Sequence, residues 1–323
     1  MTNIIDELLK RRMIAVLGKG GVGRTSVSGA LAMLAAGRGL RTLAVETDPQ
    51  TPLAAGLGKR PGFAPRRLAA NLWGMFLGGQ ESLEDYLGKV VPRPILRIVL
   101  GSSIYQHFVH AAPAMRELMM MGKIYDAIER RSPGEPRWDM IVFDTPASGQ
   151  ALSMLRMPFV ARERFGESLV GREANEVARL FRDRALSAIV AVTTAEPLAM
   201  AETLELSRVL EQLELEITAV AFNRRSPVAF ETTDIARMVR RVTREPALRH
   251  LDYFAGIARS ELKRKNREAR ALEVLRRQIG APRIVLQERR GFAGSALLAD
   301  LTSQLAAGAG SATSFQADAQ PWG

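Results

Sequence analysis

The sequence predicts an α/β fold with a doubly wound, mostly parallel sheet, because short apolar runs alternate along the chain with longer helical patterns. The runs have the length of buried strands and cover residues 13–17, 42–45, 140–143, 188–192, 218–222 and 284–286. Ligands of such sheets bind beyond the carboxyl ends of the strands. Polar motifs at Gly18, Asp48, Asp144 and Asn223 each follow one of these runs. We therefore expect the motifs to meet at one edge of the sheet.

The glycine-rich loop after the first run has the composition of a phosphate-binding loop. It consists of Gly18, Lys19, Gly20, Gly21, Val22, Gly23, Arg24, Thr25 and Ser26. In the usual pattern, G-x-x-x-x-G-K-[ST], backbone N–H groups surround the phosphates, the lysine reaches the outer phosphates and the hydroxyl binds Mg²⁺. Here Arg24 stands at the lysine position, and small residues from 25 to 37 predict the helix that must follow. The alternative is a glycine turn without a ligand, which is disfavoured because four glycines in six positions occur together with Lys19, Arg24 and Thr25.

Further segments of the chain resemble a known family. They are K-G-G-V-G-R-T at 19–25, in which Lys19 comes early in the loop, T-D-P at 47–49, D-T-P-A-S-G at 144–149 and F-N at 222–223. In order and spacing they are similar to motifs of the arsenite-pump and tail-anchored-protein-targeting ATPases, the ArsA/GET-type group of P-loop NTPases. P-A-M-R-E at 113–117 and E-R-R-G at 288–291 resemble two more motifs of that group. The resemblance extends over nearly the whole chain.

The resemblance implies a dimeric ATP-dependent switch, either a homodimer or a heterodimer with a paralogue. Lys19 would reach the nucleotide of the partner subunit, and Asp48 would orient or deprotonate the attacking water. The other implied roles are Mg²⁺ binding by Thr25 and Asp144, sensing of the γ-phosphate by Thr145, Pro146 and Gly149 in the second switch, and adenine recognition by Asn223. Simpler alternatives are a helix cap for Asp144 and turn residues for Asp48 and Asn223.

Arg24 leaves the activity open, because arginine is a planar fork on a longer stem and does not replace a compact lysine conservatively. Loss of one preorganised phosphate contact costs about 3 kcal/mol, or roughly a hundredfold in rate, whereas binding through backbone N–H groups would survive. One hypothesis is a slow, dimer-dependent ATPase. The second is a nucleotide-binding, hydrolysis-deficient scaffold or partner of an active paralogue. The third is a MinD/ParA-like positioning ATPase, which D-T-P-A-S-G at 144–149 and the long insertion before it disfavour.

We expect one ATPase domain over residues 1–305, an inserted helical subdomain from about 50–136 and 151–185, and a disordered tail at 306–323. An apolar stripe at helical spacing in this subdomain consists of Met115, Leu118, Met121, Ile124 and Ile128. Methionine-rich surfaces adapt to varied apolar partners, and the resemblance implies a groove for a client's hydrophobic segment in this region. The stripe is therefore a candidate client or partner face, with ordinary core packing as the alternative.

The composition of the 323-residue chain restricts its chemistry further. Without cysteine it forms no disulfide, and no zinc or arsenite site of the kind that relatives build from cysteines. The net charge of +11 permits a transient contact with an anionic membrane surface, although acidic residues interleave with the arginines as on a solvated helix face. We expect no nucleic-acid partner. No apolar run approaches the roughly 18 residues of a membrane span, and the N-terminus lacks a signal sequence, so we expect a cytoplasmic protein.

Overall fold

The computed structural model describes residues 3–47, 62–102, 113–129, 138–227, 230–289 and 291–308. Within these ranges, the strands form an eight-stranded sheet of order β3-β4-β2-β5-β1-β6-β7-β8. The strands are β1 (Met13–Gly18), β2 (Thr42–Glu46), β3 (Arg66–Ala69), β4 (Leu72–Phe76), β5 (Met140–Asp144), β6 (Ser187–Thr193), β7 (Ala219–Arg225) and β8 (Arg283–Gln287). Neighbouring strands are parallel except for β3 and β4. The predicted fold class is confirmed.

Helices cover both faces of this sheet. They are α1 (Ile4–Leu9), α2 (Arg24–Gly37), α3 (Gly79–Val90), α4 (Arg93–Leu100), α5 (Pro113–Glu129), α6 (Ser148–Phe165), α7 (Leu169–Arg182), α8 (Pro197–Gln212), α9 (Thr232–Arg244), α10 (Asp252–Gln278) and α11 (Gly294–Ala306), with a 3₁₀ helix (Pro246–Leu251) between α9 and α10. Alternate residues of a strand face opposite sides. Thus Met13 and Ala15 of β1 join one core with α5 to α8 and α10, while Ile14 and Val16 join the other with α1, α2 and α11.

The central strands are buried on both faces, which is why they read as continuous apolar runs in the sequence. Each of the six predicted runs coincides with or overlaps an observed strand. The parallel register brings the strand ends together, since Asp144 pairs with Val16 of β1 and with Glu46 of β2. The carboxyl ends of β1, β2 and β5 therefore share one edge, as the sequence predicted.

The stretch predicted to be a helical subdomain, 50–136, also contains two strands that the sequence analysis missed. Strands β3 and β4 form an antiparallel hairpin on the edge of the sheet. Asn71 in its turn has a φ of 53°, a left-handed conformation that asparagine tolerates. Strand β3 lacks an apolar run because only Leu68 of its residues is buried. Strand β4 does carry a short apolar run, L-W-G-M-F, which the sequence analysis assigned to the helical subdomain instead of a strand. Residues 50–61, 103–112 and 130–136 of this stretch lie outside the described residues.

The apolar stripe on α5 faces the interior of the protein. Leu118, Met121, Ile124 and Ile128 are buried, and Met115 is partly buried against a small cluster that includes Leu118. Met121, Ile124 and Ile128 belong to the main core beneath the sheet. The stripe is therefore core packing in this conformation, the alternative that the sequence left open, because a helix beside a sheet buries its apolar side against it. Its role as a client face stays a prediction.

In the described part of the chain, no helix has the length and apolar character needed to cross a bilayer. Of the predicted tail, residues 309–323 lie outside the described residues.

Candidate functional site

The glycine-rich loop joins β1 to α2 at the shared strand edge. Gly23 precedes α2 with a φ of 91°, and a Cβ atom there would lie 2.3 Å from Nδ2 of Asn223. A Cβ atom on Gly18 would lie 2.5 Å from the carbonyl oxygen of Val192. Side chains at these two positions are thus excluded by close contacts with neighbouring strands. The loop ends at the N-terminus of a 14-residue helix, where free N–H groups and the helix dipole favour a bound phosphate.

Between these two glycines, Gly20 and Gly21 are exposed, whereas Val22 is buried. The exposed part of the loop is therefore the part whose backbone is available to a ligand. Ser26 lies in the first turn of α2 and is partly buried.

Asp144 lies at the end of β5 and collects three side-chain donors. Its Oδ1 accepts hydrogen bonds from Nε of Arg24 at 3.1 Å and from the Ser28 hydroxyl at 3.0 Å. Its Oδ2 accepts one from the Thr25 hydroxyl at 2.7 Å. Burial raises the pKa of this carboxyl, although Arg24 and the hydroxyls of Thr25 and Ser28 oppose the shift. The strand edge and the first turn of α2 are thus joined through one buried carboxylate.

Arg24 is turned toward the protein at the base of the loop. Besides the contact with Asp144, its Nη1 donates to the carbonyl oxygen of Gly18 at 3.1 Å. Its side chain is 11% exposed. The cation at the usual lysine position therefore bridges the end of β5 and the start of the loop.

The donor set fits Mg²⁺. The Thr25 hydroxyl, in the first turn after the glycine-rich loop, and the Asp144 carboxylate, at the end of β5, are oxygen ligands of the kind that Mg²⁺ takes together with substrate phosphates. No group of three or more histidine and acidic side chains is poised for a metal in the described residues. A metal here would depend on a bound nucleotide for its remaining ligands.

The segment predicted to be the second switch is anchored to the sheet and to Thr47 of the T-D-P motif. The buried hydroxyl of Thr145 donates to the carbonyl oxygen of Val16 at 2.9 Å. The hydroxyl of Thr47, directly after β2, donates to the carbonyl oxygen of Asp144 at 3.3 Å. Pro146 is buried, whereas Gly149 in the first turn of α6 is exposed. The T-D-P motif and the predicted second switch are therefore in direct contact.

Lys19 pairs with a residue that the sequence analysis missed. Its Nζ lies 3.0 Å from Oε1 of Glu202 on α8, and Oε2 of Glu202 accepts a hydrogen bond from the Ser148 hydroxyl at 2.7 Å. The bonds from Ser148 and Lys19 lower the pKa of Glu202. Glu202 thus connects the phosphate loop to the beginning of α6. A glutamate inside an ordinary helix gives no sequence signal for this contact.

Asn223 uses its amide to hold the loop. Nδ2 donates to the carbonyl oxygen of Val22 at 2.8 Å, and Oδ1 accepts from the backbone N–H of Arg224 at 2.9 Å. The side chain is buried. Its predicted adenine contact stays a prediction, as does the role of Asp48, which lies outside the described residues.

Known proteins resemble this chain over much of its length. Residues 11–173, about half of the chain, match the family described as anion-transporting ATPases of the ArsA type. ATPase BagA of Mycobacterium tuberculosis is 27% identical over 241 residues, which cover 70% of this chain and 68% of that protein. ATPase GET3 of Ajellomyces dermatitidis is 24% identical over 263 residues, which cover 69% and 75%. ATPase ASNA1 homolog 1 of Paramecium tetraurelia is 28% identical over 149 residues, which cover 46% and 44%.

Proposed function

Because the chain belongs to the ArsA-type family of anion-transporting ATPases, we propose that it is an ATP-binding switch protein that hydrolyses ATP slowly and as a dimer. The observation that carries this proposal is the set of contacts that Arg24, Thr25 and Ser28 make to Asp144. It brings the phosphate loop, the Thr25 hydroxyl and a buried carboxylate to one sheet edge. Backbone N–H groups of the exposed loop would bind the phosphates, and Thr25 and Asp144 would hold Mg²⁺. When bound, the metal would neutralise charge on the β- and γ-phosphates.

The proposed hydrolysis is tested by measuring ATP binding and single-turnover hydrolysis of the wild type beside Asp48→Asn. We expect hydrolysis to fall by about a hundredfold in the variant, because an amide cannot take a proton from the attacking water. ATP affinity is expected to stay unchanged. Equal turnover of the two proteins would remove Asp48 from its assigned role.

In the proposed cycle, Glu202 restrains Lys19 before the dimer forms. Lys19 must leave its carboxylate partner to reach a nucleotide on the other subunit. The same carboxylate also accepts a hydrogen bond from Ser148 at the start of α6, the helix of the second switch. Release of Lys19 would therefore change the position of Glu202 and with it the contact to Ser148. Glu202 therefore couples the loop to the second switch within one subunit.

Glu202→Gln is expected to raise dimer-dependent turnover about two- to fivefold, since a partly exposed ion pair contributes about 0–1 kcal/mol. The amide keeps the shape of the side chain and an oxygen for Ser148. The measurement is the hydrolysis rate against protein concentration, with Glu205→Gln on the exposed side of the same helix as control. A lower rate in Glu202→Gln alone would mean that Glu202 assists the reaction instead of restraining it.

A second candidate function is supported by the contacts of Arg24. A guanidinium held by both Asp144 and Gly18 is directed away from a nucleotide in the loop. If it stays there during the cycle, the protein would bind ATP firmly without hydrolysing it and act as a nucleotide-bound scaffold or as the partner of an active paralogue. Tight binding without single turnover would identify this function.

Helices α3 to α7 form the helical subdomain in this proposal, and its opening and closing would expose a face for an apolar client. The exposed groups that suit such a client are Ile95 and Ile98 on α4, which are 53% and 75% exposed. The buried stripe on α5 would contribute only after α4 and its neighbours move.

A further inference from the structure

A helical hairpin inserted between β7 and β8 carries an apolar and basic surface that the proposed ATPase cycle does not use. It consists of α9, the 3₁₀ helix and the first half of α10, residues 230–265. Helix α9 packs against α10 and the 3₁₀ helix, and Nη2 of Arg259 donates to the Thr243 hydroxyl at 2.8 Å. Ile235 and Val242 of α9 and Ala255 and Ala258 of α10 are buried. The hairpin has thus already buried an apolar side of each helix.

Five large apolar side chains nevertheless remain on the outside of the hairpin. Their exposed fractions are 69% for Phe230, 48% for Met238, 75% for Tyr253, 60% for Phe254 and 54% for Ile257. The last three lie within the first two turns of α10, where spacings of three and four residues put them on one side of the helix. The rings of Tyr253 and Phe254 contact each other with centroids 5.6 Å apart. Concentrated apolar exposure of this kind marks an interaction surface.

The same hairpin is positively charged. Residues 230–265 contain nine lysines and arginines but five aspartates and glutamates. Arg237 pairs with Asp234 on its own helix, and Arg241 pairs with Glu245 directly after that helix. Exposed Arg240, Arg244 and Arg249 make no ion pair with any described residue. The excess positive charge of the hairpin therefore favours an anionic binding partner.

We propose that the hairpin docks on an anionic lipid bilayer. Tyrosine, phenylalanine and isoleucine on one side of a helix suit the boundary between headgroups and acyl chains, and the arginines of α9 and the 3₁₀ helix that make no ion pair with a described residue would meet lipid phosphates. A second copy of this chain is disfavoured because a symmetric contact would put equal positive surfaces together. Single-stranded nucleic acid is disfavoured because Tyr253 and Phe254 meet edge-on, at 78°, and do not form a flat stacking platform.

The test is sedimentation of the full chain with vesicles of phosphatidylcholine alone or with about 30% phosphatidylglycerol. We expect binding to the anionic vesicles only, weakened by salt. The double variant Phe254→Ser, Ile257→Ser should lose at least tenfold in affinity. Arg240→Gln with Arg244→Gln should weaken binding and reduce its salt dependence. The matched control is Leu198→Ser with Phe292→Ser, two exposed apolar residues on α8 and between β8 and α11, 61% and 47% exposed, which should bind vesicles as the wild type does.

Equal binding to neutral vesicles, no vesicle binding, or unchanged binding by the hairpin variants would each overturn the proposal. So would binding to a single-stranded oligonucleotide without binding to vesicles. Retained ATP binding and an unchanged circular dichroism spectrum show that a variant is folded. Since vesicle binding is measured without ATP, its failure is distinguishable from a failure of the proposed ATPase function.

Discussion

Replacing Lys19 by alanine is expected to lower single-turnover ATP hydrolysis by about a thousandfold while ATP affinity changes little. A cation that another subunit delivers to the transferring phosphoryl group contributes this much or more in related reactions. In the subunit described here, Lys19 Nζ pairs with Glu202 on α8. Removing the Lys19 side chain therefore leaves the backbone N–H groups of the loop, which would bind the phosphates, in place. The effect should fall on the chemical step.

The matched control for this prediction is Lys10→Ala. Lys10 also forms an ion pair, with Glu7 at 2.6 Å, but on the N-terminal helix and outside the loop. Hydrolysis by the control should equal that of the wild type. Mass measurements with and without nucleotide should show a dimer for all three proteins when ATP is bound. Unchanged hydrolysis in Lys19→Ala would contradict both the role of Lys19 and the dimer-dependent mechanism.

The strands that position the site were predictable because they are buried on both faces. A strand such as β1 shows its burial directly as five consecutive apolar residues at 13–17. The edge strand β3 was not predictable in the same way. Exposed Arg66 and Arg67 interrupt its apolar pattern, and pairing with β4 supplies the stability that the local sequence does not indicate. Strand β4 is a short apolar run, L-W-G-M-F, but it was assigned to the helical subdomain.

The apolar stripe on α5 shows why the partner of a helix side could not be predicted from the sequence. Helical spacing shows that Leu118, Met121 and Ile124 share a side of α5, but the spacing is the same for a side that packs on a core and one that binds a partner. Only the tertiary fold decides between the two. It places Met121 and Ile124 in the main core.

In the site, residues carried by a local motif were predictable, and contacts between distant segments were not. The pairing of Thr25 with Asp144 follows from a phosphate loop and a strand-end aspartate on neighbouring strands. The Lys19–Glu202 pair joins positions 183 residues apart with no pattern to connect them. The identity of Arg24 was visible, but the direction of its side chain was not.

Arg24→Lys is expected to raise single-turnover hydrolysis by between a hundredfold and a thousandfold, the amount that one preorganised electrostatic contact contributes. Arg24 uses two separate nitrogens to bridge Asp144 and Gly18. A lysine has one compact ammonium group on a shorter stem and cannot make this bridge in the same geometry. The ammonium would be free to contact the outer phosphates, while Thr25 would continue to bind Asp144.

The control is Arg24→Met, which keeps a long side chain and removes the charge. It should leave hydrolysis low and reduce the free energy of unfolding by about 3 kcal/mol, since the buried Asp144 would lose its cation. Arg24→Lys should be destabilised by less, because a cation remains nearby. The measurements are single-turnover hydrolysis and thermal unfolding of the three proteins. If lysine lowers turnover instead, the guanidinium must leave Asp144 during the cycle and contact the phosphates itself, and Arg24 would then be the active form of this loop.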